Sequence, residues 1–343
     1  MSALALALLG FCAAASVVWW AGTRLPRHVV ALSERTGLGQ AFAGMLVMGG
    51  ITSLPEMATA TSAAALGSSQ MALNNIIGSA SFNILLLALA DMVLGKQALT
   101  SVLAKPVTLI QGLLSMLLLG LVVAAIVVGS TFSAFGIGPW SLTILLFCLF
   151  AIRVAHRAER RPMWIVVNPP DLALVGELDE GTTSLRKIAA ALGGLAALIL
   201  VAGLGLAYTG DIIARESGLG GGLIGLVLAA AATSLPELSA ITGAMRNQRY
   251  ELAVGEIFGS NMFNIALIFL VDLAAPGPPV LAAAGSFEIL AALLALLMSG
   301  IFVLGLIERR DHTFLRMGED SIAVILVYAA GLTILFNVAL GTR

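Results

Sequence analysis

Long stretches of this sequence offer water nothing to bind. Leu113–Val128 holds no ionisable side chain, and Ile188–Tyr208 holds none beyond the Tyr208 phenol. About 20 apolar residues in a helix cross the hydrocarbon of a bilayer. Ten segments approach or exceed that length: 3–22, 39–66, 71–94, 107–129, 137–155, 188–208, 221–245, 252–273, 280–306 and 319–340. Only 11% of the 343 residues are charged and 59% are hydrophobic, whereas soluble domains carry about 25% charge. The expectation is an all-α membrane protein surrounded by lipid bilayer. A net charge of −1 gives no sign of nucleic acid as a partner. Nothing implies an obligate protein partner or a cofactor.

Ser2–Gly22 has the apolar run of a signal peptide and small residues at Ala13–Ala15, but no Lys or Arg precedes the run. It reads as a first transmembrane helix, with Trp19 and Trp20 near an interface. Cys12 and Cys148 lie in apolar runs and read as small core residues. In a ten-span layout only Arg215 and Arg343 of the 18 basic residues fall on one side. The positive-inside rule then puts both termini outside an integral plasma (inner) membrane protein, with segment 156–187 in the cytoplasm. That segment, with Pro162, Pro169, Pro170 and the acidic stretch Glu177–Glu180, reads as a linker. It divides the chain into a first half, 1–155, and a second, 188–343.

The halves are related. Residues 52–91 and 233–272 align without a gap at an offset of 181, with 17 identities in 40 positions, among them TSLPE, GS and FNI. Five spans separate the copies. Because five is odd, the second copy enters the membrane from the other side. The layout is two inverted-topology five-helix repeats, a plan of secondary transporters with the site at the repeat interface. The α-repeats cover 49–91 and 230–272.

Pro55 and Pro236 interrupt apolar helical stretches. Proline lacks the N–H that would bond the carbonyl four residues back, so carbonyls around Gly49–Thr52 and Ala230–Thr233 should be released. Glu56 and Glu237 follow the prolines in mid-span, where a carboxylate is costly and marks function. Thr52 and Ser53 precede Glu56 by one helical turn, and Thr233 and Ser234 precede Glu237 likewise. Ser79 and Asn83 share a helix face, as do Ser260 and Asn264. All are hard oxygen donors, suited to Ca²⁺ and Na⁺. His28, His156 and His312 are expected in loops, which disfavours zinc, copper or nickel. Two carboxylates are balanced by one Ca²⁺ or by two Na⁺, but not by both loads at once, which is an electrostatic basis for exchange.

TSLPE followed by GSxxFNI, twice and inverted, resembles the α-repeats of the cation/calcium exchanger superfamily, and within it the prokaryotic sodium/calcium antiporters. The resemblance implies secondary active Na⁺/Ca²⁺ exchange by alternating access, with Ca²⁺ and Na⁺ as cargo. Glu56 and Glu237 would be the principal calcium ligands, with carbonyls from Thr52 and Thr233. Ser53, Ser79, Ser234 and Ser260 would line sodium sites, with carbonyls from Gly49 and Ala230. Spans one and six would slide across the rest. Asn264 stands where potassium-dependent members usually carry Asp, which implies potassium independence. Ala80 replaces a common Asn. Glu256 departs from a usual Asn and is expected near a span end, toward the cytoplasmic mouth, either solvated or recruiting ions. Asp91, Asp272 and Glu288 are expected at interfaces. Protons remain the alternative counter-ion. An intramembrane acid protease, which two carboxylates could also form, would leave the doubled Pro-Glu break unexplained.

Overall fold

The computed structural model describes residues 3–94, 97–103, 105–129, 132–133, 136–161, 184–216, 232–314 and 316–339. Ala230, the first part of segment 221–245 and most of the 156–187 linker lie outside the described residues. Among the described residues, eight helices are long and apolar enough to cross a membrane, and one bent pair makes a ninth. The protein is nearly all helical.

Helix α1 (Ala3–Thr36) is followed by α2 (Gln40–Ala43), a π-helical turn (Gly44–Met48), α3 (Gly49–Thr52) and α4 (Leu54–Ala65). Next come α5 (Ser69–Leu94), the short α6 (Leu99–Val102), α7 (Pro106–Val128) and α8 (Pro139–Arg160). The second half holds α9 (Leu185–Glu216), α10 (Leu235–Arg246), α11 (Tyr250–Ala274), α12 (Ser286–Glu308) and α13 (Glu319–Ala339). A two-stranded hairpin, β1 (Thr313–Phe314) and β2 (Met317–Gly318), precedes α13.

Several boundaries differ from the sequence expectation. The first span runs on to Thr36, so Arg24, Arg27 and Arg35 sit on α1 rather than in a loop. At 1.5 Å per residue its 34 residues reach about 51 Å, well beyond the hydrocarbon core. Pro26 is buried inside α1 without ending it. The span expected at 280–306 starts at Ser286, after a 3-10 turn at Val280–Ala283. His28 and His156 lie on α1 and α8, not in loops. Cys148 is buried as expected, whereas Cys12 is exposed on α1.

Helix α11 is the axis of the fold. It is buried without interruption from Leu252 to Met262, as a helix enclosed on all sides must be. Backbone meets backbone where α2, the π turn and α3 cross it. A Cβ on Gly255 would stand 2.2 Å from the Ala41 carbonyl oxygen, and one on Gly259 would stand 2.3 Å from that of Met45. From the other partner, a Cβ on Gly49 would stand 2.7 Å from the Ser260 amide nitrogen. Small residues permit this approach, which membrane helices use in place of hydrophobic pressure. Helix α1 packs along α9 and α10, at the edge of the bundle.

Asp91 and Asp272, expected at interfaces, are buried. Asp91 accepts the amides of Leu99 (2.7 Å) and Gly318 (2.6 Å). Asp272 accepts those of Val280 (2.7 Å) and Gly138 (3.0 Å), and the Ser141 hydroxyl at 2.6 Å. Each carboxylate reaches forward eight residues to hold the turn that follows its helix, which satisfies amides that no helix serves. Glu288 is buried too, closing the start of α12 by accepting the Gly285 amide. Asp272→Ala should therefore lower thermal stability by about 2–4 kcal/mol, since three bonds to a charged acceptor are lost. A melting curve checks this, and cation affinity should move little beside it.

At the end of the bundle that holds residues 98–103 and 309–314, Lys105 bridges Glu159 (3.2 Å) and Glu251 (3.0 Å). Partial burial works to lower the Lys105 pKa, but Glu251 and Glu159 together outweigh it and hold it above the ordinary value. Lys105 therefore stays charged through the neutral range and braces the entry of α7 to α8 and α11.

Candidate functional site

The two proline-glutamate steps break their helices in the same way. Ser53 separates α3 from α4 with a bend of 46°, and Ser234 separates helical Ala232–Thr233 from α10. Pro55 and Pro236 fall in the first turn of α4 and α10, where the missing N–H costs nothing. Glu56 and Glu237 follow in that turn, where the positive helix end favours a negative side chain. The π turn just before α3 is a further irregularity of a kind frequent at functional sites.

Glu56 is 1% exposed and Glu237 is 0% exposed. Thr52, Ser53, Ser79, Asn83, Thr233, Ser234, Ser260 and Asn264 are all buried as well. Ser260 is the hub. Its hydroxyl donates to Glu237 Oε1 at 3.0 Å and lies 2.9 Å from the Ser53 hydroxyl. Asn83 Nδ2 donates to Ser260 Oγ at 3.4 Å and to Asn261 Oδ1 at 3.0 Å. Residues from α3–α4, α5, α10 and α11 thus meet at one place, and that place draws on both α-repeats.

Other candidate ligands are buried with polar atoms that no protein group serves. Both carboxylate oxygens of Glu56 lack a hydrogen-bond partner, as do Ser79 Oγ, Ser234 Oγ, Asn83 Oδ1, Glu237 Oε2 and both amide atoms of Asn264. Buried polar atoms are almost always paired, so a cluster of unpaired oxygens marks a place prepared for something else. The expected release of the Gly49 carbonyl is not seen. It accepts the Ser53 amide at 3.1 Å and the Thr52 hydroxyl at 3.2 Å.

Two residues gain weight beyond the sequence reading. Glu256, expected near a solvated span end, is 0% exposed, and its Oε1 accepts the Thr52 hydroxyl at 2.8 Å. Asn261 ties the two repeats by donating to the Ala80 carbonyl at 3.1 Å. Ala80 lies 181 residues before it, so the two copies touch at equivalent positions. The Ala80–Asn261 mismatch was visible in the sequence, but the contact was not.

The profile of the family described as sodium/calcium exchanger protein matches residues 6–157 and again 187–337. The chain belongs to that family. It is an integral membrane cation/Ca²⁺ antiporter, not an enzyme. Among relatives of the exchanger family, the chain is 30% identical to CaxA of Alkalimonas amylolytica, which is named as an antiporter, over 82% of this chain and 86% of that protein. It is 29% identical to the inner membrane protein YrbG of Escherichia coli strain K12, over 76% and 78%. Solved structures of the sodium-calcium exchanger NCX_Mj share the fold. One, soaked with 10 mM Na⁺ and no Ca²⁺, superposes with a TM-score of 0.70 at 19% identity, over 96% of this chain and 99% of that one. Another, soaked with 2.5 mM Na⁺ and 0.1 mM Ca²⁺, gives 0.64 at 20% identity.

Proposed function

We infer that this exchanger moves Ca²⁺ against Na⁺ by alternating access, with Glu56 and Glu237 as the principal calcium ligands. The observation that carries the reading is the pair of buried carboxylates at two matching helix breaks, Glu56 with no hydrogen-bond partner on either oxygen. Around them the donors are oxygens and amides, with no His or Cys among them. Such a set fits hard cations that take many oxygen ligands. Among the described residues no three acidic, His or Cys groups surround a single metal position. A mixed cage of carboxylate, hydroxyl, amide and carbonyl oxygens remains.

In this reading Thr52 and Thr233 lend carbonyls to Ca²⁺, and Ser53, Ser79, Ser234 and Ser260 line Na⁺ positions beside Gly49 and Ala230. Asn83 and Asn264 offer amide oxygens. One Ca²⁺ or two Na⁺ balance Glu56 and Glu237, so each load displaces the other. Occupancy frees the Ser260 hydroxyl from Glu237, because a cation takes the carboxylate oxygen it now serves.

The architecture proposed is ten helices in two inverted five-helix halves, 1–155 and 188–343, joined by a cytoplasmic 156–187 linker with both termini outside. The matched roles of Glu56 and Glu237, Ser53 and Ser234, and Asp91 and Asp272 support it. So do the two separate family matches. The long α1 and α9 pack on each other at the bundle edge, as a pair that moves together would.

Calcium flux into proteoliposomes separates the counter-ions. Uptake should follow an outward Na⁺ gradient and ignore a pH gradient of equal size. Uptake driven by the pH gradient alone would replace Na⁺ with H⁺ as the coupled ion.

A further inference from the structure

The two α-repeats are unequal where they touch. Asn83 on α5 and Asn264 on α11 stand at matching positions, 181 residues apart. Ala80 and Asn261, about one turn earlier on the same helices, match at the same offset. All four are buried. Asn261 Nδ2 donates to the Ala80 carbonyl at 3.1 Å. A carbonyl can only accept, so this bond fixes which end of the Asn261 amide is which. The Asn261 oxygen is then the end that meets Asn83, and it accepts Asn83 Nδ2 at 3.0 Å. Asn83 must keep its own oxygen at the opposite end, where no group among the described residues serves it. The mirror bond is missing. Ala80 has no amide to offer Asn264, and both ends of the Asn264 side chain lack a partner among the described residues.

We propose that Asn261 is a positioning residue that presets Asn83 with its amide oxygen toward the cargo, whereas Asn264 is oriented only when a cation arrives. This rests on the exchange reading above, in which both amides offer oxygens to the ion. An amide turned the other way would present two N–H donors, which repel a cation. The two ends of an asparagine amide have nearly the same shape, so a neighbour has to choose between them. For Asn83 the choice runs back to the Ala80 carbonyl, a backbone group that cannot turn. Groups behind a ligand, which never touch the ion, fix its orientation and raise affinity. A ligand already in place also pays no ordering cost on binding. The second copy thus sets a ligand of the first, and the first does not return the service.

The test is the Ca²⁺ affinity of the purified full-length protein in Na⁺-free choline medium at fixed pH. Asn261→Ala should weaken binding about tenfold, and Asn83→Ala at least as much. The double variant should bind as Asn83→Ala alone does, because Asn261 reaches the ion only through Asn83. Asn261→Leu keeps the space filled and should show the same loss as Asn261→Ala. A brace that merely supports the fold would weaken binding equally with Asn83 present or absent. That result would overturn the proposal, as would wild-type affinity in either Asn261 variant. A further arm leaves Asn261 untouched and decides the matter even where its variants fail to fold. Asn264→Ala should lose less affinity than Asn83→Ala, and an equal or larger loss would overturn the proposal. Glu56→Gln, run in parallel, keeps the two readings apart. If it binds Ca²⁺ as the wild type does, the ion site itself is wrong. If it loses Ca²⁺ while Asn83→Ala or the Asn261 variants bind as the wild type does, only the positioning role is wrong.

Discussion

Glu56→Gln and Glu237→Gln should each weaken Ca²⁺ binding by roughly 10²–10³-fold while leaving the protein folded. Removing one partner from a buried charge pair costs roughly 3–5 kcal/mol, and each factor of ten in affinity is about 1.4 kcal/mol. The two variants should differ in the cation-free protein. Glu56 has two buried oxygens and no donor, so a neutral amide relieves a cost that nothing offsets. Glu56→Gln should melt at or above the wild-type temperature without Ca²⁺. Glu237 accepts the Ser260 hydroxyl, a bond that an amide oxygen can also accept, so Glu237→Gln should be near neutral. Adding Ca²⁺ should raise the wild-type melting temperature through binding linkage and move neither variant at the same concentration. A thermal-shift titration of the three proteins reads both effects. A variant that melts far below the wild type would assign these carboxylates to scaffolding.

Gly259→Val carries the second large effect, and it acts through packing alone. A Cβ at Gly259 would lie 2.3 Å from the Met45 carbonyl oxygen, 2.5 Å from its Cα and 2.7 Å from its carbonyl carbon. All three are backbone atoms that cannot rotate away. The π turn must move off α11, and it carries with it α3, which holds Thr52, and Ser53 just beyond. Overpacking of this kind costs about 1–3 kcal/mol or more. Ion binding should fall as well, because Ser53 leaves Ser260. Gly193→Val on α9 is the control, since a Cβ there meets nothing within 4 Å. The melting temperature and Ca²⁺ affinity should both drop for Gly259→Val and stay near wild type for Gly193→Val.

Much of this site was legible because its residues violate their surroundings. Pro55, Glu56, Pro236 and Glu237 stand out in apolar sequence, and their repetition at a fixed offset points to one location. What could not be read depends on contacts between distant segments. Gly255 and Gly259 look like ordinary small residues until Ala41 and Met45 are seen against them. Glu256 lies six residues into α11, near a helix start in sequence, yet α11 is sunk so deeply that this position is interior. Asp91 and Asp272 mark span ends as expected, but their amide partners lie in other segments, so burial was not anticipated. Arg24, Pro26 and Arg27 resemble a stop to the first helix. Residues 23–36 nevertheless stay helical, with Leu25, Pro26, Val29 and Val30 buried, so tertiary packing overrides the local signal.

Two carboxylates from two broken helices forming one cation cage is the central claim, and anomalous diffraction from crystals soaked in Sr²⁺ tests it most directly. The account predicts a principal peak between the carboxylates of Glu56 and Glu237, within coordination distance of oxygens from both. A principal peak elsewhere, for example at Asp91 or Asp272, or none near either glutamate at saturating Sr²⁺, would contradict it.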